Sequence, residues 1–66
     1  MDDISTAVQK EVARLRDMIA TTKALMPGGN VNFIFYDLAI AEAERAVREQ
    51  DTIALIKILP ELREMQ

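Results

Sequence analysis

The fold of this chain is decided by the segment ISTAVQKEVARLRDMIATTKALM at residues 4–26. It holds neither Gly nor Pro, and steps of three and four separate Ser5, Val8, Val12, Leu15, Ile19, Thr22 and Met26. Such spacing places side chains along one face of an α-helix. We therefore predict a first helix over residues 4–26. A short side-chain oxygen from Asp2, Asp3 or Ser5 is expected to cap its first turn.

A break in the pattern follows at Pro27-Gly28-Gly29-Asn30, which predicts a helical-hairpin loop over residues 27–31. Residues 31–36 are β-branched and aromatic, so a short strand is possible there. Apolar residues nevertheless recur every seven positions, at Phe33, Ile40 and Val47. This spacing favours a second helix over residues 32–50, with Asn32 as its N-cap.

A third helix is predicted over residues 52–65, with Asp51 as its N-cap. Lys57 is the only polar residue among residues 53–59. A segment that is apolar all round cannot be covered by one partner helix. Pro60 removes a backbone hydrogen bond, so we expect it to kink this helix or to restart it.

Helix length and chain size together predict an all-α, elongated architecture. A helix of 22 residues is about 33 Å long, whereas a compact chain of this size has a radius of gyration near 11 Å. We expect helices 1 and 2 to form an antiparallel hairpin and helix 3 to fold across one end. Two hairpins would then close a four-helix core in a homodimer. The alternative is a monomeric three-helix bundle whose bare face binds another protein. The predicted core and dimer seam consists of Val8, Val12, Leu15, Ile19, Met26, Ile40, Val47, Ile53 and Ile56.

Composition excludes several kinds of chemistry. The 66 residues include no Cys and no His, which removes a thiol nucleophile, a His base and a Cys/His zinc site. The carboxylate pairs Glu61/Glu64 and Asp37/Glu44 remain, but two-carboxylate catalysis needs a concave, partly desolvated site. We therefore expect no enzyme activity, no cofactor and no metal. An acidic start and short apolar runs predict a cytoplasmic protein with no membrane segment.

Nucleic-acid binding is a weaker alternative. Lys10 and Arg14 form the basic pair that a Rop-like helical-hairpin dimer could use to grip RNA. If residues 31–36 form a strand, the element order becomes that of a ribbon-helix-helix DNA-binding dimer. However, that strand would need Arg, Lys or Gln to read base edges. The net charge of the chain is −3, and the sequence has no basic tail that could bind nucleic acid.

Protein recognition is the function that the sequence favours. Every aromatic residue lies just after the Gly turn, at Phe33, Phe35 and Tyr36, and aromatic side chains near a helix end are suitable interface anchors. Met18 adds an adaptable side chain. We predict a small non-catalytic regulator or adaptor that binds a partner protein, comparable in size to phage or bacterial inhibitors and anti-activators of host regulators. A structural subunit of a larger assembly is a further alternative.

Overall fold

The structure of the protein is a computed structural model that describes residues 3–26 and 33–65. Within these residues it contains helices and no strand, which confirms the all-α prediction. The helices are α1 (Ile4–Leu25), α2 (Ile34–Arg48) and α3 (Thr52–Glu64). The molecule measures 38 × 22 × 19 Å, with a radius of gyration of 12.6 Å. It is therefore elongated, because α1 alone is nearly as long as the whole molecule.

The start of α1 is capped by Asp3, one of the three predicted candidates. Its Oδ1 atom accepts a hydrogen bond from the Thr6 backbone N–H at 2.8 Å, which satisfies an amide that has no partner inside the helix. Because this bond favours the ionised carboxyl, it lowers the pKa of Asp3. The helix ends at Leu25, one residue earlier than predicted, and the Met26 N–H still donates to the Thr22 carbonyl.

The start of α2 differs from the prediction. The helix begins at Ile34, and Phe33 occupies the N-cap position. Asn32, the predicted cap, and the loop at 27–31 lie outside the described residues. The strand alternative is wrong over residues 34–36, because these form the first turn of α2. Burial of Phe33 and Ile40 in the core outweighs the β-propensity of this stretch.

A tight turn joins α2 to α3. Gln50 has a positive φ of 55°. The Asp51 N–H donates to the Ala46 carbonyl at 2.9 Å, and the Gln50 N–H donates to the Val47 carbonyl at 3.2 Å. These two bonds form a Schellman motif, which ends α2 at Arg48, two residues before the predicted end. Asp51 then caps α3 by accepting from the Ala54 N–H at 3.2 Å.

The third helix continues through Pro60 and ends at Glu64, one residue before the predicted end. Of the two outcomes predicted for Pro60, the restart is wrong, and the kink stays a prediction. Proline cannot donate a hydrogen bond to the carbonyl four residues earlier, which here belongs to Ile56. Both Pro60 and Ile56 are exposed, so this face of α3 is in contact with water. Exposure of this face therefore allows the helix to tolerate the proline.

The three helices enclose one hydrophobic core. Every pair of helices is in contact, and the contact between α1 and α3 is the largest. The third helix thus packs along α1 as well as α2, instead of only folding across one end of a hairpin. The buried side chains are Val8, Val12, Leu15, Ile19, Phe33, Ile40, Ala43, Ala46, Leu55, Ile58, Leu59 and Leu62. No helix in the described part of the chain is long and apolar enough to cross a membrane.

Candidate protein-binding surface

The bundle has three helices at one end and two at the other, because α3 stops short. The Arg14 guanidinium donates through Nη2 to the carbonyls of Leu62 and Met65, at 2.8 and 3.1 Å. This contact places the C-terminal end of α3 beside Arg14. From Arg14 to Leu25, α1 continues for 11 residues, or about 16 Å. The last two turns of α1 and the first two turns of α2 therefore form a two-helix extension beyond α3.

Five large apolar side chains of this extension remain between 53% and 76% exposed. We call them the end surface, which consists of Leu25, Met26, Ile34, Phe35 and Leu38. The α2 members are spaced i, i+1 and i+4, so they share one side of the helix. Further along α2 the exposed positions carry charged side chains such as Glu42 and Glu49. On α2 the large exposed apolar side chains therefore lie in its first two turns, and such a concentration indicates an interaction site. Two further large apolar side chains, Ile53 and Ile56, are exposed on α3.

The predicted partner-binding residues are divided between the core and the surface. Phe33 is buried, with the Lys23 Nζ atom 5.5 Å from its ring centroid and the Tyr36 ring edge-on to it at 6.0 Å. Tyr36 and Met18 are half-buried and pack against the core. Phe35 is 75% exposed. Of the four predicted residues, Phe35 is the one that projects most fully into the solvent.

Sequence reasoning missed Ile34 and Leu38 as surface candidates. Both are large apolar residues that lie off the seam of α2, beside Phe35. That mismatch between residue type and helix position was visible in the sequence. Their exposure nevertheless depends on where α3 ends, and helix periodicity does not determine that.

The predicted seam residues fall into two groups in the structure, one buried and one exposed. Val8, Val12, Leu15, Ile19 and Ile40 are buried, and Val47 is half-buried against them. Met26, Ile53 and Ile56 are exposed, so they are not part of the core of the single chain. The reason is geometric: Met26 lies beyond α3, and Ile53 and Ile56 lie on the outer side of α3, which is opposite its buried residues Leu55, Ile58, Leu59 and Leu62.

Of the two residues of the nucleic-acid alternative, Arg14 forms contacts within the bundle. Arg14 donates to the carbonyls of Leu62 and Met65 at the end of α3, and the Leu62 carbonyl also accepts a hydrogen bond from the Met65 N–H at 3.3 Å. The same side chain also lies 3.4 Å from the Glu11 carboxylate. Lys10 is exposed. The structure thus gives Arg14 a stabilising role within the bundle.

The charged side of α2 centres on Arg45. Its guanidinium bonds to Glu42, and it lies 3.2 Å from Glu49 and 3.6 Å from Asp51. The hydrogen bond with Arg45 lowers the pKa of Glu42, and the same bond raises the pKa of Arg45. These groups are solvated, and they hold one another in an ion-pair network at the α2–α3 turn.

A groove of about 750 Å³ lies between α1 and α2, on a floor that includes Val12 and Val47. Arg16 forms an ion pair with Glu44 there, and Asp17 and Arg48 also line the groove. These charges balance and are exposed, so no carboxylate in this groove is desolvated for acid–base catalysis. Among the described residues, no three potential ligands of the His, Cys, Asp or Glu type cluster to hold a metal.

Comparison with other proteins gives no further assignment. No protein-family model matches the chain, and no curated protein and no solved structure shows significant similarity to it. A functional proposal therefore depends on the surface chemistry of the chain.

Proposed function

We propose that this chain is a small non-catalytic helical protein that binds protein surfaces through the end surface and acts as a regulator or adaptor by occupying them. The observation that carries the proposal is the concentration of five exposed large apolar side chains on the two-helix extension. Covering such side chains removes apolar area from water, which is the main favourable term in protein association.

The chemistry of the end surface fits a protein better than a small polar ligand. Its five side chains carry no hydrogen-bonding group apart from the weak Met26 sulfur. Phe35 is a rigid aromatic side chain that can enter a pocket as an anchor. A polar substrate would find nothing in these side chains to orient it. An apolar protein surface would be complementary to them.

We also propose that the working form is a homodimer with a four-helix core. A single chain already closes a three-helix core around Leu15 and Leu62, both of which are fully buried. A further shared core therefore has to form where α3 is absent. The two-helix extension supports this arrangement, because each of two chains could contribute α1 and α2 segments to it.

Site-specific photocrosslinking in cells of the native host tests the protein-binding function. A photoreactive amino acid is placed at position 38, inside the end surface, and in a separate variant at position 53, on the outer side of α3. We expect protein adducts from position 38, with a yield several-fold higher than from position 53. Adducts to any protein count, including a second copy of the chain.

The substitution Phe35→Ala is then combined with the reporter at position 38, and Ile53→Ala is the matched control. Phe35 and Ile53 are similarly exposed, at 75% and 69%, so neither truncation removes much core packing. We expect Phe35→Ala to lower the adduct yield and Ile53→Ala to leave it unchanged. Equal yields in the two variants, or no adduct from position 38, would contradict the proposed function.

A further inference from the structure

We infer that the end surface is covered by a second copy of this chain, so that Leu25, Met26, Ile34, Phe35 and Leu38 form a twofold-symmetric contact. This inference rests on the proposed function, because it names the occupant of the same surface. It goes further by naming the five side chains that form the dimer contact. The outer side of α3, where Ile53 and Ile56 were predicted to contribute to the seam, is left outside that contact.

The apolar area available supports a second copy at this position. Exposed fractions of 53% to 76% for five side chains correspond to about 500 Å² per chain, if a fully exposed large side chain presents about 150–200 Å². Two copies would bury about 1,000 Å² in total, which reaches the lower limit of specific interfaces. The end surface is therefore large enough for a weak dimer.

The same calculation argues against the outer side of α3. Ile53 and Ile56 are 69% and 57% exposed, so two copies would cover only about 400 Å² of these side chains. That area is in the range of non-specific crystal contacts. The two surfaces are also well separated, because the length of α2, about 22 Å, lies between Phe35 and the turn that leads into Ile53.

Charge also favours a second copy at the end surface. Residues 18–41 contain one cation, Lys23, and one anion, Asp37, and their sum is zero. The net charge of −3 therefore belongs to the remaining residues, 1–17 and 42–66. Two copies that meet through the extension bring together neutral regions and keep the acidic regions apart. Contact through any acidic region would instead bring like charges together, which opposes association.

The geometry of the bundle explains why two copies fit together. Beyond the end of α3, each chain has two helices around an open side, with Met18 and Tyr36 only half-buried. A second extension placed on this side supplies the missing helices, so four helical segments enclose the shared apolar side chains. A twofold axis uses the same patch on both chains, as closed dimers generally do.

Sedimentation equilibrium on the full chain, from about 1 µM to about 1 mM, measures the particle mass and so tests directly whether a second copy binds. We expect the wild-type mass to rise from 7.4 kDa toward twice that value over this range. Phe35→Glu places two like charges in the contact, so we expect it to remain at the monomer mass. Ile53→Glu, the matched control, should dimerise as the wild type does. Circular dichroism checks that each variant is helical, and Leu38→Glu replaces Phe35→Glu if the latter unfolds.

Three results would overturn the inference: a wild-type chain that stays monomeric at about 1 mM, a folded Phe35→Glu or Leu38→Glu variant that still dimerises, or a loss of dimerisation in Ile53→Glu alone. These results are distinguishable from failure of the proposed function. A monomeric chain that still gives Phe35-dependent adducts with a different protein would rule out the second copy as the occupant and would leave the protein-binding function supported. A monomeric chain without such adducts would rule out both the dimer contact and the protein-binding function.

Discussion

The substitution Leu15→Ala should remove most of the stability of the single chain. Leu15 has no exposed surface and belongs to the hydrophobic core that the three helices enclose. Leu→Ala changes at buried sites cost about 2–5 kcal/mol, from lost burial and from the cavity that remains. A chain of 66 residues has a total unfolding free energy of about 3–10 kcal/mol. The loss is therefore comparable with the whole stability of the domain.

Urea denaturation followed by circular dichroism measures this loss, at a concentration where sedimentation equilibrium gives the monomer mass. With an m-value near 1 kcal/mol/M, a loss of about 3 kcal/mol lowers the midpoint by about 3 M. Leu25→Ala is the matched control, because the chemical change is identical and Leu25 is 76% exposed. We expect that variant to stay within about 0.5 kcal/mol of the wild type. If Leu25→Ala cost as much as Leu15→Ala, the placement of the core in the three-helix part of the bundle would be refuted.

The remaining predictions concern the caps and the charged network. Gln50→Gly should raise the unfolding free energy by about 0.5–1 kcal/mol, because Gly adopts the positive φ of 55° without strain; a lower melting temperature would contradict the Schellman turn. Asp51→Ala should cost about 1 kcal/mol, since it removes the N-cap of α3, whereas Asp51→Ser should retain most of that stability in the same thermal melt. Glu42 and Asp3 have lowered pKa values in the folded chain, so their contributions are present above their unfolded pKa values, near 4, and are lost as the pH falls through the folded values. Melting temperatures between pH 7 and pH 2 should therefore fall less steeply in Glu42→Gln than in the wild type, and an unchanged slope would rule out this contribution.

Several elements could be predicted from local sequence signals. The seam from Val8 to Ile19 indicated the buried side of α1, and short polar side chains indicated the caps at Asp3 and Asp51. These signals are local, because helix periodicity and N-capping involve residues within about four positions of one another. The end of α2 was misplaced by two residues, since a non-glycine residue at the left-handed position, Gln50, gives no clear signal in sequence.

The candidate surface could be predicted only in part. Phe35 was identified because an aromatic residue off the seam is conspicuous near a helix start. Phe33 and Tyr36 were grouped with it by sequence proximity, but both side chains pack at the core, where their rings lie edge to face. Ile53 and Ile56 were assigned to the seam because residues 53–59 are apolar throughout, and composition alone does not show which side of such a helix is covered.

The sequence alone determined that this chain forms three helices and where two of them are capped, because repeat spacing and capping depend on near neighbours along the chain. Only the tertiary structure decided which apolar residues are covered. That outcome depends on α3 packing along α1 and ending beside Arg14, a contact between residues 48 positions apart. Burial is a property of the assembled bundle, so the seven-residue repeat predicts a helix face and the packing of α3 decides how far along that face the core extends.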